Sequence, residues 1–256
     1  MIPVYIPTLK RSEEQRTLEN LKGATKPILV IRPEELEEYK VYSDRAEVVC
    51  APESVRGIAL TRHWIGKHAM AHGHKTFLMM DDDLDFWKRD ESKALFRCEK
   101  PEVLEMLARV EKLLLKYEHV GISTKEGNYQ NPEDLTVNTR LLRALAFRTG
   151  DFLKVKHGRV RVMEDFDVAL QILKGGGNIA NICDFAQGQK STNAKGGCSE
   201  YRTREVHDES ACKLAFLHQD CVKLRLKKAK SGGAIAKRIE VTIAWKKAAE
   251  KGASNG

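Results

Sequence analysis

The 256-residue sequence lacks the features that would place a chain in a membrane or in an oxidising compartment. No apolar run approaches the roughly 18 residues of a membrane-spanning helix, and the N-terminal MIPVYIPTLKR lacks the charged-then-apolar order of a secretory signal. The six cysteines lie far apart without a C-x-x-C pair, so neither a disulfide framework nor a zinc ribbon is indicated. We therefore expect a cytoplasmic protein with reduced thiols.

The net charge of +8 is concentrated at the C-terminal end of the chain. Residues 221–256 contain ten Lys or Arg against Glu240 and Glu250, so the first 220 residues are balanced in charge. A basic segment with interleaved Ile, Val and Trp245 is typical of proteins that bind a polyanion such as nucleic acid. From the segment alone, a solvated amphipathic helix that aids solubility is the simpler interpretation, and nucleic-acid binding is the alternative.

The first 86 residues alternate short apolar runs with helical patterns, which predicts a parallel α/β sheet. Ser12 and Gln15 have the spacing of a capping box at the start of the first helix. In such sheets, ligands bind beyond the carboxyl ends of the strands, and the last predicted strand runs directly into three consecutive aspartates. The predicted strands are residues 2–6, 28–31, 47–50 and 76–80, and the last is preceded by a helix over 55–72.

The second half of the chain has a more mixed pattern. Pro101 opens a predicted helix, and a second helical stripe over 166–173 ends at three consecutive glycines, residues 175–177. The pattern also predicts strands at 119–123, 145–147 and 178–185, and QGQKSTNAKGGCSEYR has the composition of a loop.

Asp81 and Asp83 lie two residues apart at a strand end, so both carboxylates leave the backbone on one side if the extended conformation continues. Oxygen ligands in that arrangement suit Mg²⁺ or Mn²⁺, which keep waters and bind substrate phosphates. A solvated acidic turn is the simpler interpretation, since Asp is common in turns. We favour the metal site because of its place in the sheet, and we expect Asp82 to point the other way as support.

A second acidic cluster, MEDFD at residues 163–167, directly precedes an amphipathic helix. Acidic residues in a first helical turn stabilise the helix dipole and cap free N–H groups, which is reason enough for their presence. The functional interpretation is a carboxylate general base that takes a proton from an attacking hydroxyl. Combined with a metal-binding pair in the first half, such a base would make a two-substrate transferase.

Basic residues near the strand ends suit a diphosphate, because an arginine fork matches phosphate oxygens. Arg11, Arg56 and Arg62 are the candidates, although each could be an ordinary surface charge. His68 and His72 have a spacing that could ligate zinc, but a third ligand and the Glu of H-E-x-x-H are missing. We interpret them as surface or core histidines.

Taken in order, the segments PVYIPTLKR, GIALTRHWIGKHAMAHGHKTFLMMDDDLDF and RVMEDFDVALQILKGGGNIAN resemble nucleotide-sugar glycosyltransferases of the GT-A fold over most of residues 1–190. The resemblance implies a Rossmann-like mixed α/β sheet flanked by helices, with a basic helical extension at the C-terminus. It implies that Asp81 and Asp83 hold the metal and that Asp165, beside Glu164, is the catalytic base. The residues it implies at the nucleotide are Pro7, Thr8, Arg11, Arg62, Asp81 and Asp82.

More narrowly, VYIPTLKR, DDDLDF, MEDFDVALQIL and KGGCSEYR look like the TET-associated glycosyltransferases of bacteriophages. That family is similar to enzymes that place a sugar on the hydroxyl of 5-hydroxymethylcytosine in DNA. The resemblance implies a UDP-sugar donor, Mn²⁺ or Mg²⁺, double-stranded DNA as partner and the host-cell cytoplasm as location. DNA would give the basic segment 221–256 a function beside a glycosyltransferase domain of residues 1–220, although a duplex base must leave the stack to react.

The resemblance also implies a loop that closes over donor or DNA, and a third metal ligand. GT-A enzymes often use a late His as that ligand, for which His207 and His218 are both available, and we take His207 as the prediction. The predicted loop residues are Lys190, Lys195, Gly196, Gly197, Tyr201 and Arg202.

Three alternatives compete with a DNA glycosyltransferase. A GT-A enzyme acting on a lipid or surface polysaccharide would require a stronger apolar face than IEVTIAW provides. Phosphoryl transfer also uses D-x-D at strand ends, but haloacid-dehalogenase phosphatases carry it after the first strand, and topoisomerase-primase folds need an upstream Glu that we cannot place. The third alternative is a catalytically inactive DNA-binding module. The donor sugar and an inverting or retaining outcome stay open.

Overall fold

A computed structural model describes residues 1–189, 197–228 and 237–253. The first half alternates strands and helices as the sequence predicts, and the second to fourth strands have the predicted bounds. Its elements are β1 Val4–Pro7, α1 Arg16–Asn20, β2 Ile28–Ile31, α2 Leu36–Tyr39, β3 Glu47–Cys50, α3 Ile58–Ala71 and β4 Thr76–Met80.

The second half adds antiparallel strands to this unit. Its elements are β5 Leu84–Arg89, β6 Leu95–Arg97, α4 Lys100–Leu113, β7 His119–Thr124, α5 Lys125–Asn128, β8 Leu135–Val137, β9 Ala144–Arg148, α6 Thr149–Lys154, α7 Glu164–Lys174, β10 Ile179–Gln189, α8 Arg204–Leu217, β11 Val222–Lys228, β12 Lys237–Ile243 and α9 Trp245–Ala253. Within the ranges given above, the structure contains no helix with both the length and the apolar character needed to cross a membrane.

The main sheet has the strand order β3-β2-β1-β4-β9-β7-β10-β5-β6, with β8 paired to β10. Strands β1 to β4 run parallel, whereas β9 is antiparallel to both of its neighbours, β4 and β7. From β1 the chain proceeds outward to β2 and β3 and then returns to the other side of β1 as β4. This reversal opens a crevice at the carboxyl ends of β1 and β4, which is where ligands bind in open α/β sheets.

Strand β4 shows how the sheet is buried on both faces. Its side chains alternate, so that Phe77 and Met79 join one hydrophobic cluster and Leu78 and Met80 join another. The first cluster includes side chains of α3, α7 and α9, and the second includes side chains of α1 and α4. The protein is therefore a three-layer α/β/α structure that holds β4, and with it the aspartates that follow, rigidly in the centre.

The capping box predicted at Ser12 and Gln15 is wrong. Helix α1 begins at Arg16, and the Gln15 side chain makes no capping bond. Instead its fully buried amide donates to the hydroxyl of Thr8 (3.1 Å) and to the carbonyl of Arg11 (2.7 Å). Gln15 thereby fixes the loop that follows β1, because a buried amide must find hydrogen-bond partners inside the protein.

The prediction of a helical basic extension is correct only for its last part. Residues of β11 and β12 form an antiparallel hairpin, and helix α9 follows. The sequence VKLRLKK alternates apolar and basic residues with the period of a strand. The prediction of a helix rested on the basic composition of the segment and did not use this alternation. Because Val222 and Ala248 are buried in the same cluster as α7, the predicted boundary between residues 220 and 221 falls inside a continuous core.

Helix α9 packs unusually closely on α7, and this contact requires Gly252. A Cβ at Gly252 would lie 2.0 Å from the carbonyl oxygen of Leu173. We expect Gly252→Ala to push α9 away from α7 and to lower the free energy of unfolding by about 1–3 kcal/mol. Gly150→Ala is the matched control, because a Cβ there meets no atom within 4 Å. Equal melting temperatures of the two variants in thermal denaturation would contradict this packing.

His119 should make the protein less stable in acid. It is buried beneath Phe147 with Nδ1 2.8 Å from the carbonyl oxygen of Ala146, and burial lowers its pKa to about 3. The unfolded chain binds more protons between that pKa and about 6.5, so stability is lost as the pH falls through this range. At pH 5 the loss is about 2 kcal/mol.

In the variant His119→Gln the side chain at this position cannot bind a proton, whereas all carboxylates are unchanged. Comparison with the wild type therefore separates the contribution of His119 to acid sensitivity from that of the carboxylates. We expect the difference in unfolding free energy between the wild type and this variant to be about 2 kcal/mol smaller at pH 5 than at pH 7. Urea denaturation at both pH values measures the difference. A difference independent of pH would show that His119 does not account for the acid sensitivity.

Candidate active site

The three aspartates lie in the crevice where β4 ends. Strand β4 stops at Met80, and Asp82 and Asp83 form a turn that leads into β5. The side chains of Asp81 and Asp83 are 28% and 19% exposed, whereas that of Asp82 is 6% exposed. Asp81 and Asp83 are also electrostatic neighbours. The two outer carboxylates thus reach the crevice, and the middle one points into the protein, as the spacing predicts.

Asp82 joins the end of β1 to the end of β4. Its Oδ2 accepts a hydrogen bond from the hydroxyl of Thr8 (2.7 Å), which directly follows Pro7, the last residue of β1. Arg11 forms an ion pair with the other oxygen. Burial raises the pKa of Asp82 to about 6, and Arg11 and Thr8 oppose that shift. Pro7, Thr8 and Asp82 therefore form the floor of the crevice.

Arg11 and Gln189 hold Asp83 from two sides. The Arg11 guanidinium lies 3.0 Å from Oδ2, and the Gln189 amide donates to Oδ1 (2.7 Å). Arg11 therefore forms ion pairs with two aspartates at once. Gln189, at the end of β10, has no recognisable motif in the sequence, so only the sheet topology brings it here.

Arg62 joins the two acidic clusters that the sequence predicts as separate. Its guanidinium, on the buried face of α3, donates to Glu164 (2.6 Å) and to Asp81 (2.9 Å). Helix α3 also packs closely on α6, because a Cβ at Gly66 would lie 2.4 Å from the ring of Phe152. A single arginine thus fixes the carboxyl end of β4 against the start of α7.

Glu164 and Asp165 open helix α7 at the edge of the crevice. Met163, which precedes them, has a left-handed φ of 66°, a conformation that costs energy for a non-glycine residue. Glu164 is buried, and burial raises its pKa to about 7 against the opposing charge of Arg62. Asp165 is more accessible, and its charge contributes to a raised pKa of Asp81. The structure therefore brings Asp165 close to Asp81, the residue that follows β4.

Asp167, the last member of the second cluster, has a structural role. It forms an ion pair with Arg159 and a 2.8 Å contact with Nε2 of the buried His218. Burial raises the pKa of Asp167, but the hydrogen bonds from His218 and Arg159 outweigh it and give a net lowering. His218 thus contacts Asp167 through Nε2, and its buried Nδ1 has no hydrogen-bond partner among the described residues.

His207 contacts Asp208 on α8 (Nδ1 to Oδ1, 3.4 Å). Nowhere in the described part of the chain are three His, Cys, Asp or Glu residues arranged to hold a metal ion. The prediction that His207 is a third ligand therefore gains no support from this arrangement. A metal held by Asp81 and Asp83 would take its other ligands from a donor diphosphate and water, which is usual for Mg²⁺.

Asp81 and Asp83 fit such an ion by their chemistry. Both supply carboxylate oxygens, the ligands that suit Mg²⁺ and Mn²⁺. Burial raises the pKa of Asp81, and the nearby charges of Asp83 and Asp165 add to that shift, while Arg62 and Arg143 oppose it. A divalent cation would offset this concentration of negative charge.

Part of the loop predicted to close over the site is described. Gly197 donates its N–H to the carbonyl of Leu9 (2.9 Å), and the Tyr201 hydroxyl accepts from the N–H of Ile58 at the start of α3 (2.8 Å). The loop thus spans from the end of β1 to α3, over the side of the crevice that holds Arg11. Arg202 is exposed. Lys190, Lys195 and Gly196 lie outside the described residues.

Sequence reasoning missed two arginines in the segment before β9. The carbonyl of Arg143 accepts the N–H of Asp81 (3.0 Å). The buried Nη1 of Arg143 lies 3.8 Å from Glu126 and has no hydrogen-bond partner among the described residues. Arg140 lies over the ring of Phe166 with its guanidinium carbon 4.7 Å from the centroid. The sequence TRLLRA shows no motif, and only the position of β9 beside β4 brings both residues to the crevice.

Comparisons with known proteins show which family and which fold this chain resembles. A sequence model of the family described as TET-Associated Glycosyltransferase matches residues 2–197. The β-glucosyl-HMC-α-glucosyl-transferases of Enterobacteria phages T6 and T2 are each 24% identical over 226 residues, covering 82% of this chain and 79% of theirs. The crystal structure of GalNAc-T7 with UDP, GalNAc and Mn²⁺ superposes with a TM-score of 0.50 at 10% identity. That match covers 74% of this chain but less than half, 43%, of the other.

Proposed function

Because the chain belongs to the TET-associated glycosyltransferase family, we propose that it moves a sugar from a nucleoside diphosphate sugar to the hydroxymethyl group of 5-hydroxymethylcytosine in DNA. The GT-A fold and glycosyltransferase class form the basis of this proposal. The observation that carries it is the meeting of two acidic clusters at one crevice, where Arg62 contacts both Asp81 and Glu164. The cluster after β4 would bind the donor through a metal, and the cluster at the start of α7 would supply the base for the acceptor.

On the donor side, a divalent metal held by Asp81 and Asp83 would neutralise charge on the departing diphosphate. Arg11 and Arg143 bring further positive charge to the same place. The nucleoside would lie over the floor made by Pro7, Thr8 and Asp82. Gly197, Tyr201 and Arg202 belong to the loop that would cover it, excluding water from a sugar that water could otherwise hydrolyse.

On the acceptor side, Asp165 is the general base. It takes the proton of the acceptor hydroxyl while that oxygen forms its bond to the sugar C1 and the bond from C1 to the diphosphate breaks. Glu164 is unsuited to this role, because it is 8% exposed and its carboxylate binds Arg62. Its task is to orient Arg62, which in turn holds Asp81 in place.

A second acceptor deserves the same test because of the relatives from phages T6 and T2. Their name states that they transfer glucose to β-glucosyl-HMC. The acceptor hydroxyl of this protein would then belong to a sugar already attached to the base. Such a sugar projects further from the stack than the hydroxymethyl group, so a base need not be fully extruded to present it.

The experiment incubates purified protein and Mn²⁺ or Mg²⁺ with a panel of UDP-sugars. Three otherwise identical duplexes contain cytosine, 5-hydroxymethylcytosine or its β-glucosyl derivative, and mass spectrometry of the digested nucleosides identifies the product. We expect a hexose mass to be added to one of the two modified duplexes and none to be added to the cytosine duplex. Unchanged nucleosides across the whole panel would refute transfer to this class of DNA.

A further inference from the structure

We propose that the hairpin β11–β12 binds the phosphate backbone of duplex DNA with one face, and that Arg140 connects this face to the catalytic base. The inference deepens the proposed function and rests on it, since it names the surface that would bring the acceptor to Asp165. The relevant surface, called the basic face below, consists of Lys223, Arg225, Lys227 and Arg238.

The register of the hairpin produces the basic face. The strands pair continuously from Val222 opposite Ile243 to Lys228 opposite Lys237. Because side chains alternate along a strand, the first three basic residues share one face with their cross-strand partners Thr242, Glu240 and Arg238. All three are exposed. The face thus presents four cations against one carboxylate, Glu240, which pairs with Arg238.

The hairpin is held firmly against the catalytic part of the protein. Asp208 on α8 accepts the backbone N–H of Ile239 (2.9 Å). Helix α9, which follows β12, packs its Trp245 edge-on against Phe166 at 5.8 Å. Asp220 adds ion pairs to Lys174 on α7 (2.8 Å) and to Lys251 on α9 (3.1 Å). The basic face therefore has a defined position relative to α7, the helix that carries Asp165.

Arg140 lies between the basic face and the catalytic base. It is exposed, stacks over Phe166, the residue after Asp165, and has Asp165 and Glu240 as its acidic neighbours. Glu240 lies opposite Arg225 in the hairpin. Positive charge therefore extends from the hairpin to the mouth of the crevice, as expected for a surface that follows a polyanion into a reactive site.

The position of the charges favours duplex DNA over an anionic membrane. A hairpin that lies on a membrane would insert its apolar face, where Leu224 and Leu226 are 49% and 70% exposed. The cations on the opposite face would then point away from the lipid. Binding of the DNA backbone requires only the cations. The positive charge of the basic face continues through Arg140 toward Asp165 and not toward an apolar surface.

The test replaces Lys223, Arg225 and Lys227 together by Gln. The matched control replaces Lys75, Lys112 and Lys116 by Gln, three exposed lysines near the amino ends of β4 and β7, at the end of the sheet opposite the crevice. Binding of an unmodified duplex is measured by fluorescence anisotropy at several salt concentrations. We expect the hairpin variant to bind duplex at least about tenfold more weakly than the wild type. The slope of the logarithm of the binding constant against the logarithm of the salt concentration should decrease in magnitude by about 3, whereas the control variant retains both the affinity and the slope.

The two proposals fail in distinguishable ways, because binding of unmodified duplex requires no turnover. Wild-type protein that does not bind duplex DNA, or a hairpin variant that binds it as the control does, overturns the inference even if sugar transfer occurs. Loss of binding to phosphatidylserine vesicles, with duplex affinity unchanged, would assign the face to membranes instead. Where sugar transfer occurs, Arg140→Gln should lower kcat/KM for DNA but not for free 5-hydroxymethyldeoxycytidine, and an equal loss for both acceptors would contradict its role.

Discussion

Asp165→Asn is expected to lower kcat for sugar transfer by about 10²- to 10⁴-fold while the donor still binds. The amide has the shape of the carboxylate but cannot accept the proton of the acceptor hydroxyl. Asp165 is more accessible than Glu164 and is not needed to hold Arg62, so the variant should fold normally. Single-turnover rates and the Kd of a UDP-sugar, measured with the same preparation, separate chemistry from donor binding.

Glu164→Gln is the comparison, because it alters the neighbouring residue and leaves the proposed base intact. The activity lost in this variant should result partly from weaker donor binding, because Arg62 would keep its ion pair with Asp81 but lose the one with Glu164. If Glu164→Gln abolishes turnover and Asp165→Asn retains it, the two roles are exchanged. Full activity of both variants would place the base elsewhere.

Asp83→Asn is expected to lower kcat/KM for the donor by about 10³-fold, because metal-assisted stabilisation of a departing diphosphate is worth several kcal/mol. The substitution removes one of two carboxylates proposed to hold the ion. It retains an oxygen for the hydrogen bond from Gln189 at 2.7 Å, so the turn should persist. Binding of Mn²⁺ in the presence of UDP, followed by calorimetry or electron paramagnetic resonance, gives a measurement independent of turnover.

Asp82→Asn is the matched control at the adjacent position. Asp82 is buried and bonded to Thr8 and Arg11, so its loss should lower the melting temperature while Mn²⁺ affinity changes little. Unmodified duplex should bind both variants as it binds the wild type, because the basic face lies on the hairpin. Unchanged Mn²⁺ affinity in Asp83→Asn would refute the assignment of the metal ligands.

Much of the fold could be predicted because its signals are local. Strands β2, β3 and β4 are short apolar runs bounded by helical patterns, and their bounds need no tertiary information. The hairpin carried an equally local signal, an alternation of period two, but its basic composition suggested a helix instead. The prediction of a capping box at Ser12 was wrong for a different reason. The Gln15 side chain donates hydrogen bonds to Thr8 and to the carbonyl of Arg11 instead of capping the helix.

The sequence by itself determined the order of the elements, the placement of Asp81 to Asp83 at a strand end and the family resemblance of the chain. Only the tertiary structure decided which charges meet. It brings Arg62 between Asp81 and Glu164, Gln189 to Asp83, and His218 to Asp167. These contacts join residues from distant segments, and they depend on strand order and helix packing, which local propensity and spacing do not encode. The same holds for the basic face, because net charge is a property of composition whereas the position of that charge relative to Asp165 is a property of the fold.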